Sequence, residues 1–120
     1  INQSGFPKSK IFLLGFSQGA CLAMEFIIRL KFSLGGIIPI AGFVVQKNRF
    51  KNDIVNGARN TPVLLIHGSR DKMVLPAESE IAFNLFSDAG FKVQLQTPSV
   101  GHKIPLKTKD IIEKFILETQ

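Results

Sequence analysis

Ser17 stands at the centre of Gly15-Phe16-Ser17-Gln18-Gly19, a match to G-x-S-x-G. In that pattern the serine takes a strained backbone conformation between a strand and a helix, and the glycines remove Cβ atoms where neighbouring chain must pass. A hydroxyl displayed this way needs a base to take its proton. The base in turn needs a carboxylate to hold its tautomer and stabilise its cation. The N–H of Gln18, at the start of the following helix, is placed to receive an oxyanion. The plain alternative for Ser17 is a helix N-cap, which requires no chemistry.

Candidates for the other two roles lie far along the chain. Asp71 closes the stretch His67-Gly68-Ser69-Arg70-Asp71, and His102 closes Ser99-Val100-Gly101-His102. Taken singly, Asp71 reads as a turn or capping aspartate and His102 as a surface-loop histidine. The chain has two histidines, so the choice of base is binary. His67 precedes Asp71 by four residues at a strand end, a place from which it braces the acid loop. His102 has a glycine before it and a helix after it, which presents its ring toward the crest of a sheet. His67-Gly68 could also serve as an oxyanion loop, but that loop precedes the nucleophile, and here the dipeptide follows it.

These residues depend on the elements that carry them. Lys10 to Gly15 reads as a buried strand, a continuous apolar run ending at glycine. From Gln18 to about Lys31, Ala20, Ala23, Met24, Ile27 and Ile28 recur at helical spacing, with Glu25 and Arg29 four apart on another face. Ser33 to Gly36 supplies a glycine-rich stop, and Ile37 to Ala41 a second strand, weakened by Pro39. Gly42 to Asn60 reads as a surface excursion. Pro62 to His67 is apolar on both faces, as in a covered parallel sheet. A helix opens at Pro76, with Ala77, Ile81, Ala82, Leu85, Phe86 and Ala89 on one face, and Gly90 closes it. Phe91 to Gln96 alternates like a half-buried strand near an edge, and a last helix from about Lys107 to Glu118 turns Ile111, Ile112, Phe115 and Ile116 inward.

The alternation is an α/β pattern with a mostly parallel sheet and flanking helices. In such sheets function gathers beyond the carboxyl ends of the strands. Ser17, Asp71 and His102 each fall just past a predicted strand, and together they outweigh their separate bland readings.

Composition narrows the alternatives. The 120 residues are 45% hydrophobic and 20% charged, the makeup of one globular domain. Phe32 to Gln46 is the longest charge-free apolar stretch and falls short of a membrane helix. No secretory leader is evident, so Asn2-Gln3-Ser4 reads as a chance glycosylation pattern. Cys21 is the one cysteine; it fits a helix core and a reducing, cytoplasmic setting. The net charge of +6 comes from scattered bases, Lys47, Arg49, Lys51 and Arg59 in one region and Lys103, Lys107 and Lys109 in another. Such charge attracts anionic surfaces or lipid headgroups weakly and gives transient membrane-surface contact. No nucleic-acid motif accompanies it, and no metal-ligand cluster or cofactor signature is present. The first residue is isoleucine, consistent with a piece of something longer.

The words GFPKSKIFLLGFSQGACLA, PVLLIHGSRDKMVLP and GHKIP together resemble the phospholipase/carboxylesterase group of α/β-hydrolases, which includes acyl-protein thioesterases and lysophospholipases. Its triad order, Ser then Asp then His, is the order found here. Gly42-Phe43 resembles the group's Ser-Gly-aromatic turn, with Ala41 in place of the usual serine. The resemblance implies Ser17 as nucleophile, Asp71 as orienting acid, His102 as base and Gln18 as one oxyanion donor, with Phe43 and Val74 flanking the acyl group. It implies no cofactor. Implied substrates are lysophospholipids, S-acylated proteins or short carboxylesters. Members of the group carry further strands before the nucleophile, with the second oxyanion donor among them. Residues 1–120 are therefore expected to form the C-terminal half of such a domain. Rival readings are a non-catalytic hydrolase fold, a dienelactone-hydrolase relative, against which Ser17 speaks, and a nucleotide-binding module, whose glycine and lysine signatures are missing.

Overall fold

The computed structural model describes residues 7–119, so the Asn2-Gln3-Ser4 pattern lies outside the described residues. Four strands, β1 (Phe12–Phe16), β2 (Gly36–Ile40), β3 (Val63–Ile66) and β4 (Val93–Gln96), form one sheet in the order β1-β2-β3-β4. Every pair is parallel: Leu14 lies against Ile38, Ile37 against Val63, and Leu65 against Leu95. Successive strands paired side by side in this way need crossovers that all run to the same hand. The crossovers are helix α1 (Gln18–Arg29), a connection containing the short helix α2 (Phe50–Asp53), and helix α3 (Ala77–Asp88). A fourth helix, α4 (Thr108–Thr119), follows β4.

The two-residue period of the strands sorts their side chains into two cores. Ile37, Val63 and Leu65 face Met24, Ile27 and Ile28 of α1 and Ala82 and Phe86 of α3. Ile38, Ile40, Leu64 and Ile66 face the other way, toward Phe115 of α4. β2 and β3 are thus buried on both sides, which is why they read as unbroken apolar runs. β4 is only half-buried and lies at the end of the strand order, as its alternation predicts. Pro39 sits in β2 opposite Gly15. Its missing donor falls between the Ile37 N–H bond to Pro62 and the Ala41 N–H bond to Ile66, so it interrupts the ladder to β3 without ending the strand.

Three expectations shift. The first strand begins two residues later than predicted, because Lys8–Lys10 form a single 3₁₀ turn. The segment from Gly42 to Asn60 is not all surface: Phe50 is fully buried and meets Phe86 edge-on, centroids 4.9 Å apart. The inward stripe of α3 is rotated from the predicted one. Ala77 and Ile81 are exposed, whereas Ser79, Ala82 and Phe86 are buried. On the inward side Ser79 bonds the buried His67 while Ala82 and Phe86 pack in the core. Among the described residues, no helix is long and apolar enough to cross a membrane.

Candidate active site

Ser17 links the end of β1 to the first residue of α1 and has φ 57° and ψ −113°. Such a conformation costs a non-glycine residue on the order of 1–3 kcal/mol and persists only where its surroundings impose it. They do so here: the Ser17 N–H donates to Ile40 O at 2.8 Å, and its carbonyl accepts from Ala20 and Cys21 in the first turn of α1. The side chain makes no capping bond to the helix, so the N-cap alternative falls. The two glycines of the motif differ. A Cβ on Gly15 would lie 2.2 Å from Gly19 O, so Gly15 lets α1 fold back over the strand end. A Cβ on Gly19 would meet nothing within 4 Å, so the expected close passage exists at the first glycine alone.

The loops after β3 and β4 are sewn together beside this turn. Ser69 N–H donates to Pro98 O at 2.8 Å and Arg70 N–H to Val100 O at 2.9 Å. A Cβ on Gly68 would come within 2.4 Å of both Val100 O and Gly101 O, so only glycine permits that approach. Asp71 and His102 therefore meet across 31 residues, with Asp71 Oδ2 2.7 Å from His102 Nδ1. A carboxylate only accepts, which puts the proton on Nδ1 and leaves Nε2 free to accept. Ser17 Oγ lies 3.0 Å from that Nε2. The ring of Phe16 packs against the imidazole, centroids 5.1 Å apart. The structure brings Ser17, His102 and Asp71 into one hydrogen-bonded chain.

Burial of Asp71 by itself raises its pKa, since desolvation penalises the charged form. The opposing contributions win. The Val74 N–H, the His102 side chain and the Met73 N–H all bond the carboxylate, and charge on the nearby imidazole adds to them. The two backbone donors both reach Oδ1 at 2.9 Å. The net result holds the carboxyl below the ordinary aspartate value.

His67 does not face Ser17. It is fully buried, with Nε2 2.7 Å from Val74 O and Nδ1 2.5 Å from Ser79 Oγ. A carbonyl only accepts, so Nε2 carries the proton and Nδ1 accepts from the Ser79 hydroxyl. Asp71 Oδ2 lies 3.4 Å from the same Nε2. His67 thus ties the acid loop to β3 on one side and to α3 on the other. Ser79 is a member of this cluster that the sequence reading missed. A histidine inside an apolar strand must find partners for both nitrogens, but that demand does not say which residues supply them.

The remaining candidates lie at the head of α1 and on the loops after β2 and β3. Gln18 is the first residue of α1, where a backbone N–H has no partner within the helix. Phe43 and Val74 are half-buried on the loops beyond β2 and β3. Lys47 lies 5.5 Å from the Phe43 ring centroid and 2.9 Å from Glu78, which links the loop after β2 to the first turn of α3. Among the described residues, no group of three or more His, Cys, Asp and Glu side chains is placed to hold a metal ion.

A model of the phospholipase/carboxylesterase family matches residues 2–120. Acyl-protein thioesterase 1 of Neurospora crassa is 30% identical over 118 residues, covering 96% of this chain and 48% of that protein. Carboxylesterase SOBER1 of Arabidopsis thaliana is 29% identical over 113 residues, covering 93% of this chain and 50% of that protein. The crystal structure of SOBER1 matches with a TM-score of 0.88 at 28% identity, over 97% of this chain and 56% of that one. The chain thus spans about half the length of the curated relatives it matches.

Proposed function

The chain belongs to the phospholipase/carboxylesterase family, and on that premise we propose that it carries the catalytic triad of a serine esterase hydrolysing carboxylic esters or thioesters. The observation that carries the proposal is the hydrogen-bonded order Ser17, His102, Asp71 at the crest of the sheet. Ser17 Oγ attacks the acyl carbon while His102 Nε2 takes its proton. The tetrahedral oxyanion is received by the Gln18 N–H at the head of α1. Collapse breaks the bond to the alcohol or thiol, which leaves with the proton from His102. A water then attacks the acyl-enzyme, giving its proton to His102, and collapse breaks the bond to Ser17 Oγ, which takes that proton back from His102 as the carboxylic acid leaves. Asp71, ionised throughout, holds the imidazole in the tautomer each step needs.

Phe43 and Val74, on the loops that flank the strand ends, are proposed to line the acyl group. The proposed substrates are lysophospholipids, S-acylated proteins and short acyl esters, met in the cytoplasm and in part at a membrane surface. The relatives named as acyl-protein thioesterase and carboxylesterase support both ester classes. Turnover of an acyl thioester by the Ser17→Ala variant tests the assignment. Loss of turnover is the expected result, and retained activity contradicts it.

A further inference from the structure

The loops that carry Asp71 and His102 repeat one pattern. Asp71 points inward, Lys72 and Met73 outward, Val74 is half-buried and Leu75 points outward again. His102 points inward, Lys103 and Ile104 outward, Pro105 is buried and Leu106 points outward, followed by an exposed Lys107. Four large apolar side chains are left in solvent as a result: Met73 is 79% exposed, Leu75 60%, Ile104 49% and Leu106 96%. The two loops are cross-linked by the backbone bonds of Ser69 and Arg70 and by Arg70 Nη2 to Ser99 O at 2.8 Å. The apolar tips are thus presented by one bonded platform beyond the carboxyl ends of β3 and β4.

The exposed charge on this platform has one sign. Residues 68–76 and 97–107 contain Arg70, Lys72, Lys103 and Lys107, all exposed. Their single acid, Asp71, is buried against His102. The platform also stands apart from the apolar groove of Leu13, Leu14, Leu22 and Phe26 beside β1. β1 lies at the opposite end of the strand order from β4.

We propose that these two loops form a docking face for an anionic lipid surface. Apolar tips interleaved with lysines suit a headgroup layer, where the tips enter the acyl boundary and the ammonium groups stay with the phosphates. A protein partner would have to desolvate those lysines, a residue type depleted from protein interfaces. The inference deepens the esterase reading, since docking here brings the triad to lipid esters or membrane-held acyl groups. Binding itself does not require hydrolysis.

The test is vesicle flotation of the full chain in its Ser17→Ala form, so that turnover cannot alter the vesicles. Phosphatidylcholine vesicles with about 30% phosphatidylserine are compared with phosphatidylcholine alone, and the anionic ones are expected to bind at least about tenfold more tightly. Leu75→Glu with Leu106→Glu is expected to abolish binding. Lys72→Gln with Lys107→Gln is expected to weaken binding to anionic vesicles about 25-fold and leave neutral ones unchanged. Absence of binding to either vesicle, or equal binding by the variants, overturns the proposal. It is equally overturned if sedimentation shows these substitutions dissolving a dimer of the chain while vesicle binding is absent. Hydrolysis of a short soluble ester, measured on the same variants with Ser17 restored, separates the two readings: its absence refutes the esterase assignment and leaves vesicle binding to be judged alone.

Discussion

Asp71 and His102 lie 2.7 Å apart through Oδ2 and Nδ1, and the other carboxylate oxygen is held by two backbone N–H groups of its own loop. The aspartate is therefore held by its own loop independently of the histidine, and the imidazole is oriented by an acceptor that cannot swivel.

Replacing Asp71 with Asn puts a donor where His102 needs an acceptor and selects the wrong tautomer. Steady-state kinetics are expected to show kcat down by about 10⁴-fold, with KM nearly unchanged. The lowered pKa gives a second readout. A carboxylate whose folded pKa lies below its unfolded value stabilises the fold fully above about pH 4, and that contribution is lost as pH falls through the folded value. Urea midpoints of the parent chain should drop more steeply with acid below about pH 4 than those of Asp71→Asn. Parallel slopes would show that the carboxylate is not held as described.

In the proposed reaction His67 takes part only through the acid loop, to which it is bonded at Val74 O. His67→Ala removes the donor to Val74 O and leaves Ser79 without its partner, at a cost of about 1–3 kcal/mol in stability. A shift of Asp71 by even about 1 Å is expected to lower kcat about 10²-fold without raising KM. Ser79→Ala should show the same sign with a smaller effect, because His67 keeps its bond to Val74. An unchanged kcat in a destabilised His67→Ala would make the residue structural and nothing more.

The two glycines around Ser17 separate cleanly. Gly15→Ala drives a methyl into Gly19 O and should cost at least about 2 kcal/mol in thermal or urea unfolding. Gly19→Ala meets nothing in this chain and replaces a poor helix former with the best one, a gain of up to about 1 kcal/mol. Equal destabilisation by both would contradict the close approach at Gly15.

Much of this is legible in the sequence. β2 and β3 announce themselves as apolar runs because both faces are covered, and the order of Ser17, Asp71 and His102 places each past a strand. Periodicity failed on α3, where Ala77 and Ile81 match the stripe yet lie in solvent. The inward side instead carries Ser79, bonded to the buried His67, a contact that apolar periodicity cannot register. The buried Phe50 was also unreadable, since its partner Phe86 lies 36 positions away and no local pattern marks the pair. The conformation of Ser17 was the reverse case, a strained residue predicted by its motif and found with φ 57°.

The central claim, that His102 readies Ser17 as the nucleophile, is tested most directly by mapping a fluorophosphonate adduct with peptide mass spectrometry. The account predicts one adduct, on Ser17, absent from Ser17→Ala and formed at least about 10³-fold more slowly in His102→Ala. An adduct on any other residue, or undiminished labelling of His102→Ala, would contradict it.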